Sequence, residues 1–424
     1  MSIVQFPYGK EKITYDFSGE RLLDVLVSGL HDYTPEADGE TLVRRAMEMP
    51  YGSPRLSELA VGKRKIVIIA SDHTRPVPSR VIIPPMLEEI RTVNPEAEIT
   101  ILIATGCHRE TKREELIGKF GEEIVQNERI VIHDCTDDAN LVNIGTLPSG
   151  GELWINRLAY EADLLISEGF IEPHFFAGFS GGRKSVLPGI AGRATVLANH
   201  CSEFIAHPNA RTGILEGNPV HEDMLWAAST AKLQYIVNVV LNDKKEVIYA
   251  TAGDTREAHR AGTDFLSSLC TVKAQKADVA ITTNGGYPLD QNVYQAVKGM
   301  TAAEASVKQG GVIIMLSRSD DGTGGEHFYH QLADEADLGR IMTGFLNRAR
   351  NETLPDQWQS QILVRILMHA HVVFISSLDD KTVEELHMIP AHSIDEALEI
   401  ARGLVGKQDL TVTAIPDGIS VIVR

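Results

Sequence analysis

The sequence predicts an α/β protein of two domains, each with a mostly parallel sheet flanked by helices. Three observations carry this reading. Apolar, β-branched runs recur along the chain, each is followed by a polar loop bearing Gly, Pro, His or Arg, and each loop leads into a helical pattern. Apolar runs without alternation suit strands buried on both faces. Their alternation with helices implies parallel sheets with helical crossovers.

In chain order, "IVQFPYGKEKITYDF" (3–17) reads as two strands around a Gly-Lys turn. "KIVIIA" (65–70) leads into "SDHTRPVPSR", "ITILIA" (99–104) into "TGCHRETKREEL", and "ADLLIS" (162–167) into "EGFIEPHFF". The segment 234–254 looks like a hairpin, and with the helix after it closes a first domain, residues 1–270. A connector over 266–276 opens the second, residues 271–424. There "ADVAIT" (277–282), "GGVIIML" (310–316) and "HVVFIS" (371–376) repeat the pattern. The final "LTVTAIPDGISVIVR" offers two strands about a Pro-Asp-Gly turn.

The 424 residues suffice for two to three domains with their own cores, and 43% hydrophobic with 23% charged residues is ordinary for a globular chain. A formal net charge of -18 disfavours nucleic acid and acidic membrane surfaces as partners. No basic-plus-apolar leader stands at the start, and no apolar run approaches the ~18 residues of a membrane span. Cys107, Cys135, Cys201 and Cys270 form no CxxC pair, which points to reduced thiols and against a thiolate zinc site. We expect a cytoplasmic protein with no membrane partner.

Open sheets of this kind bind ligands beyond the carboxyl ends of their strands, where these loops lie. "SDHTRP" (71–76) gathers Asp72, His73, Thr74 and Arg75, a mixture suited to a phosphate or carboxylate, or to a loop held by Asp72–Arg75 pairing. His108 in "ATGCHRE" stands near a helix start, as an acid/base or as a cap; Cys107 beside it reads as packing. In "HFFAGFSGGRKSVLPGIAG" (174–192) the glycines surround Lys184. A P-loop needs glycine directly before its lysine, and Arg183 stands there, so a tight turn before a helix is the better local reading. His174, Lys184 and His200 lack any zincin spacing. His207, His221 and His259 read as surface residues. Gln295 and Lys298, at i and i+3, share a helix face, either solvated or able to bind a carboxylate.

Together "SDHTRPVPS", "ATGCHR", "SEGFIEPHFFAGFSGGRKSVLPGIAG", "ANH" and "TTNGGYPLDQNVYQAVKGM" resemble the nickel-dependent lactate racemase family. The likeness runs from near residue 60 to the C-terminus, through "GGEHFYHQLAD" and "PDQWQSQI". It implies an active site in the cleft between the two domains. It also implies a nickel-pincer nucleotide, a pyridinium-3,5-bisthiocarboxylate mononucleotide that binds nickel through one carbon and two sulfurs and is joined covalently to Lys184. Other proteins make this cofactor and are needed for activation. His200 matches the protein ligand to nickel, and His108 and His174 match the acid/base pair. Asp72, His73, Thr74 and Arg75 match cofactor-contacting residues, Arg75 also a substrate-binding one. Gln295 and Lys298 match the substrate-binding pair, and Trp358 an aromatic residue near the metal.

The chemistry makes these roles intelligible. The Cα proton of a 2-hydroxy acid is weakly acidic, whereas removing hydride gives a planar 2-oxo acid that can take hydride back on either face. The cofactor carries that step. A fixed carboxylate presents the two enantiomers' hydroxyls in different directions, so two bases are needed. The match in "GGYPLDQNVYQAVKG" favours lactate. The other readings are a racemase or epimerase of another short 2-hydroxy acid, and a nucleotide-binding protein without nickel.

Overall fold

The computed structural model describes residues 2–273 and 275–424. The expected connector 266–276 includes residue 274, which lies outside the described residues. The chain divides into two compact units. One comprises Leu30–His200 and Pro208–Leu269 (hereafter the 30–269 unit). The other comprises the residues up to Gly29, Cys201–His207 and Cys270–Arg424 (the 270–424 unit).

In the 30–269 unit six strands run in the order Val247–Gly253, Leu233–Leu241, Leu164–Phe170, Lys65–Ser71, Glu98–Ala104, Arg129–Ile132. All neighbours are parallel except the Leu233–Leu241/Val247–Gly253 hairpin. Every residue of Leu164–Phe170 is buried, and Ile66 to Ala70 are buried too, as continuous apolar runs require. Helix Ser79–Val93 packs Ile82, Ile83, Met86 and Ile90 into the same core.

The 270–424 unit holds a second six-stranded sheet, all parallel, ordered Ile389–Ala391, His371–Ile375, Val307–Leu316, Ala277–Thr283, Thr411–Ile415, Arg21–Val25. The N-terminal hairpin Ile3–Tyr8/Glu11–Asp16 forms as expected. Residues before Gly29 were expected in the first domain, but they pack with the C-terminal unit. The reason is the edge strand Arg21–Val25, whose mixed "RLLDV" hides it in the sequence; it pairs with Thr411–Ile415.

The last two strands do not form the expected hairpin. Thr411–Ile415 has four buried residues and inserts between two parallel partners, while Ile422–Val423 pairs with Thr271–Val272. Burial on both faces outweighs the local turn signal. No helix among the described residues is long and apolar enough to cross a membrane.

Candidate active site

Both sheets have a point where the chain reverses its direction of growth, and ligands of open α/β sheets bind beyond the strand ends there. In the 30–269 unit that point lies between Lys65–Ser71 and Leu164–Phe170. The loops leaving these two strands carry Asp72 to Arg75 and His174 to Lys184.

The first loop is built around a buried carboxylate. Asp72 Oδ2 accepts from His108 Nδ1 at 2.7 Å, and Oδ1 accepts from Thr74 Oγ1 at 2.7 Å and Thr74 N at 3.2 Å. Arg75 donates to Thr74 Oγ1 at 3.2 Å. Burial alone would raise the Asp72 pKa, but the bonds from His108 and Thr74, with Arg75 nearby, bring it below the usual range. Asp72 is therefore ionised and fixes the proton of His108 on Nδ1, leaving the lone pair on Nε2. Direct Asp72–Arg75 side-chain pairing is not how the loop is held. His73 turns away: its Nδ1 meets Thr111 Oγ1 at 3.0 Å, and burial lowers its pKa.

The second loop brings together residues that are far apart in sequence. The Phe176 ring packs edge-on against His174 and His200, with centroids 4.6 Å and 5.2 Å apart, and Lys184 Nζ sits 5.9 Å from its centre. His174 Nδ1 accepts from Ala177 N at 3.2 Å, so its hydrogen is on Nε2. Lys184 Nζ lies 3.4 Å from that Nε2, a hydrogen bond only if the amine is neutral. His200 Nδ1 donates to Val196 O at 3.0 Å, which places the lone pair on Nε2. Burial, with Lys184 nearby, pushes the His200 pKa down to about 3, so its imidazole is neutral.

Lys184 occupies a 3-10 turn, Gly182–Ser185, rather than a strand-to-helix phosphate loop. Arg183 anchors that turn. It is fully buried, donating from Nε to His221 Nδ1 at 2.9 Å and through its other nitrogens to the carbonyls of Ala177 and Gly181 at 2.8 Å and 3.1 Å. Desolvation lowers its pKa to about 9. His259, read as a surface residue, is buried, with Nε2 3.0 Å from Arg183, and burial takes its pKa well below the usual value. His221 is half-buried and falls to about 3 for the same reason, with Arg183 adding to it. The loop's glycines are used by the protein itself. A Cβ on Gly178 (φ +79°) would run into the carbonyl of Ile214, and one on Gly182 (φ +52°) into the His259 ring.

In the 270–424 unit, strand Ala277–Thr283 ends in the loop 284–292, and helix Val293–Ser306 follows. Asn292 caps it by accepting from Gln295 N at 2.9 Å, and Asp290 Oδ2 accepts from Gly9 N at 2.6 Å. Lys298 Nζ donates to Gln295 Oε1 at 2.5 Å, the adjacency expected from the i, i+3 spacing. This turns the amide's oxygen inward and leaves its NH₂ as the donor end beside the ammonium, as a carboxylate would require. Trp358 lies half-buried in the first turn of helix Gln357–His369.

Residues 8–213 match the lactate racemase N-terminal domain and residues 272–423 the lactate racemase C-terminal domain. The chain belongs to the lactate racemase family. It is 53% identical to the lactate racemase of Thermoanaerobacterium thermosaccharolyticum and 54% identical to that of Lactiplantibacillus plantarum, covering 100% of both chains in each comparison. The lactate racemase apoprotein structure from the former organism superposes with a TM-score of 0.96 at 52% identity, again over 100% of both chains. Family membership makes this protein an isomerase of the racemase type.

Two residues that sequence reasoning missed shape the first loop. Glu168, fully buried within strand Leu164–Phe170, accepts through Oε1 from Ser71 N (3.1 Å), Ser71 Oγ (3.2 Å) and Ser79 Oγ (3.0 Å), fastening both ends of the loop. Lys119 Nζ donates to the carbonyls of Arg75 and Val77 at 3.2 Å and 3.3 Å. Glu168 Oε2 has no hydrogen-bond partner among the described residues, and burial raises the carboxyl's pKa above its ordinary value.

A carboxyl with a raised folded pKa holds its proton more tightly folded than unfolded. Its stabilisation is complete below the ordinary value of about 4.5 and is lost as pH rises through the raised one. Glu168→Gln keeps the accepting oxygen and loses that dependence. Its Tm relative to the parent should therefore climb as pH rises above about 4.5, the group's ordinary value. A difference that stays flat over this range would contradict the raised pKa.

Proposed function

We propose that this chain interconverts D- and L-lactate with a nickel-pincer nucleotide held covalently by Lys184. The observation that carries the reading is the cluster around Phe176, an amine against the His174 ring and beside His200, whose neutral imidazole keeps its lone pair on Nε2. These donors suit the group. An amine must be neutral to be acylated, and an imidazole must be neutral to bind a metal. Among the described residues no three His, Cys, Asp or Glu side chains come together as a metal site. A nickel ion held by His200 would therefore take its other ligands from the nucleotide. When bound, the group supplies the acceptor for substrate hydride.

The chain's own task is the proton and the carboxylate. His108, with its Nδ1–H fixed by ionised Asp72, presents Nε2 to take the hydroxyl proton of one enantiomer. The same carboxylate stabilises the imidazolium that forms. His174, on the other loop, serves the opposite enantiomer, taking its hydroxyl proton as the neutral imidazole and returning it as the imidazolium. Gln295 and Lys298 take the substrate carboxylate, with Arg75 as a further cation. Asp72, Thr74 and Arg75 order the cofactor side of the loop.

Substitutions and ligand assays test this reading. Replacing His108 or His174 by Ala should cost about 10²–10⁴ in turnover, read in both directions by chiral product analysis. Normal turnover in both single variants would sink the two-base assignment. Lys298→Ala should weaken substrate binding or abolish turnover with nickel content unchanged; nickel loss would move Lys298 to the cofactor site. Lys184→Arg keeps the charge without an acylatable amine, so the mass adduct and activity should vanish together. His200→Ala should keep the adduct but hold nickel poorly. An active Lys184→Arg protein of unmodified mass would refute the tether, and ATP retained in equilibrium dialysis without nickel would favour a nucleotide-binding protein instead. A substrate panel separates lactate from other short 2-hydroxy acids.

A further inference from the structure

We propose that Cys107 and Cys135 are an oxidative modification site that reacts with a small-molecule disulfide and closes into a reversible protein disulfide beside His108. The two cysteines follow neighbouring parallel strands, Glu98–Ala104 and Arg129–Ile132. Backbone and side-chain bonds lock the loops after these strands together: His133 N donates to Ile103 O at 3.1 Å, and Thr105 Oγ1 to His133 O at 2.5 Å. This places the two sulfurs 3.5 Å apart, Cys107 exposed and Cys135 buried. The remaining cysteines, Cys201 and Cys270, are both buried and serve as internal controls.

Two thiols in contact lose their first proton readily, because the remaining S–H donates to the thiolate. That bond, with Arg193 nearby, brings Cys135 down to about 7 and pushes Cys107 up. The exposed member is the one a reagent can reach. The proton shared between the sulfurs moves from Cys107 to Cys135, Cys107 as the thiolate attacks one sulfur of the small disulfide, that S–S bond breaks, and one thiolate leaves. Cys135 then gives up its proton, attacks the Cys107 sulfur and displaces the second thiolate. The two cysteine protons end on the two released thiols, so the protein is oxidised by two electrons and the small disulfide reduced by two.

Closure to a bond of about 2.05 Å requires the sulfurs to approach by roughly 1.5 Å. The Cys135 backbone is held by Arg193 N, which donates to its carbonyl at 2.9 Å, and Cys107 sits in the turn closed by His108 N donating to Thr105 O at 2.9 Å. A shift of Cys107 is therefore passed to the residue next to it, His108, and a misplacement of about 1 Å at a catalytic group costs on the order of 10²-fold in rate. This consequence rests on the function proposed for His108, whereas the modification itself does not.

The test incubates the purified protein, with whatever adduct it carries, with glutathione disulfide, and reads intact mass, a peptide map and turnover. The expected result is a loss of about 2 Da, a Cys107–Cys135 linked peptide, a drop in turnover of at least tenfold, and recovery of both on reduction. Cys135→Ser should stop at a glutathione adduct on Cys107 and give no linked peptide. A parent protein that remains reduced, or stops at the adduct, overturns the site. A disulfide that forms with turnover unchanged overturns its coupling to His108. Should no form of the protein racemise lactate, the mass and peptide arms still decide whether the site exists.

Discussion

The 30–269 unit depends on one buried carboxyl group. Taking Glu168 out of water is costly unless donors are supplied. The donors available come from both ends of the loop that leaves the neighbouring strand. Satisfying one oxygen therefore brings Ser71 and Ser79 to the same point and makes the residues between them a closed loop. Lys119 holds the middle of that loop by two carbonyls. What remains for Asp72 is a single direction, toward Thr74 and His108. The geometry of Asp72 and His108 is thus set from a neighbouring strand, at the place where the sheet changes its direction of growth.

The Lys184 loop is ordered by the opposite means, a buried cation. Carbonyls of its own loop and imidazoles, rather than a carboxylate, surround Arg183 among the described residues. The loop wraps round the guanidinium because those carbonyls must turn inward to serve it. That leaves Lys184, the next residue, directed to the other side, where His174 and Phe176 lie. Keeping His221 and His259 neutral belongs to the same arrangement, since a second charge there would repel Arg183.

Much of this fold could be read from the sequence because its strands are buried on both faces. The six runs expected as strands, from "KIVIIA" to "HVVFIS", all form, three in each sheet. Edge strands were harder, since Arg21–Val25 is only half apolar and its partner is almost the whole chain away. Glu168 was passed over because a glutamate after "ADLLIS" looks like the end of a strand; burial carries the strand through it to Phe170. His259 misled for a related reason. Its neighbours Arg256, Glu257 and Arg260 are exposed, while the helix period turns His259 itself inward. The spacing of Lys184 argued against a phosphate loop, and the residue lies in a 3-10 turn. That Phe176 would join three residues spread over 26 positions was invisible until the loop was folded.

The distribution of charge then separates what this protein excludes from what it admits. Its formal net charge of -18 repels polyanions over the whole surface. Locally the balance inverts. Arg75, Lys119, Arg183 and Lys184 lie on or against the two loops at the switch point, where Asp72 is ionised and the Glu168 carboxyl is driven toward its neutral form. In the other unit Lys298 stands beside Gln295 with its donors arranged for a carboxylate. Field lines from such a group are weakly screened where water is excluded, so its reach is short but strong. Burial keeps His200 neutral, so in the function proposed above its imidazole would bind a metal ion without first losing a proton. The same desolvation that makes the buried carboxyl costly therefore makes the imidazole useful.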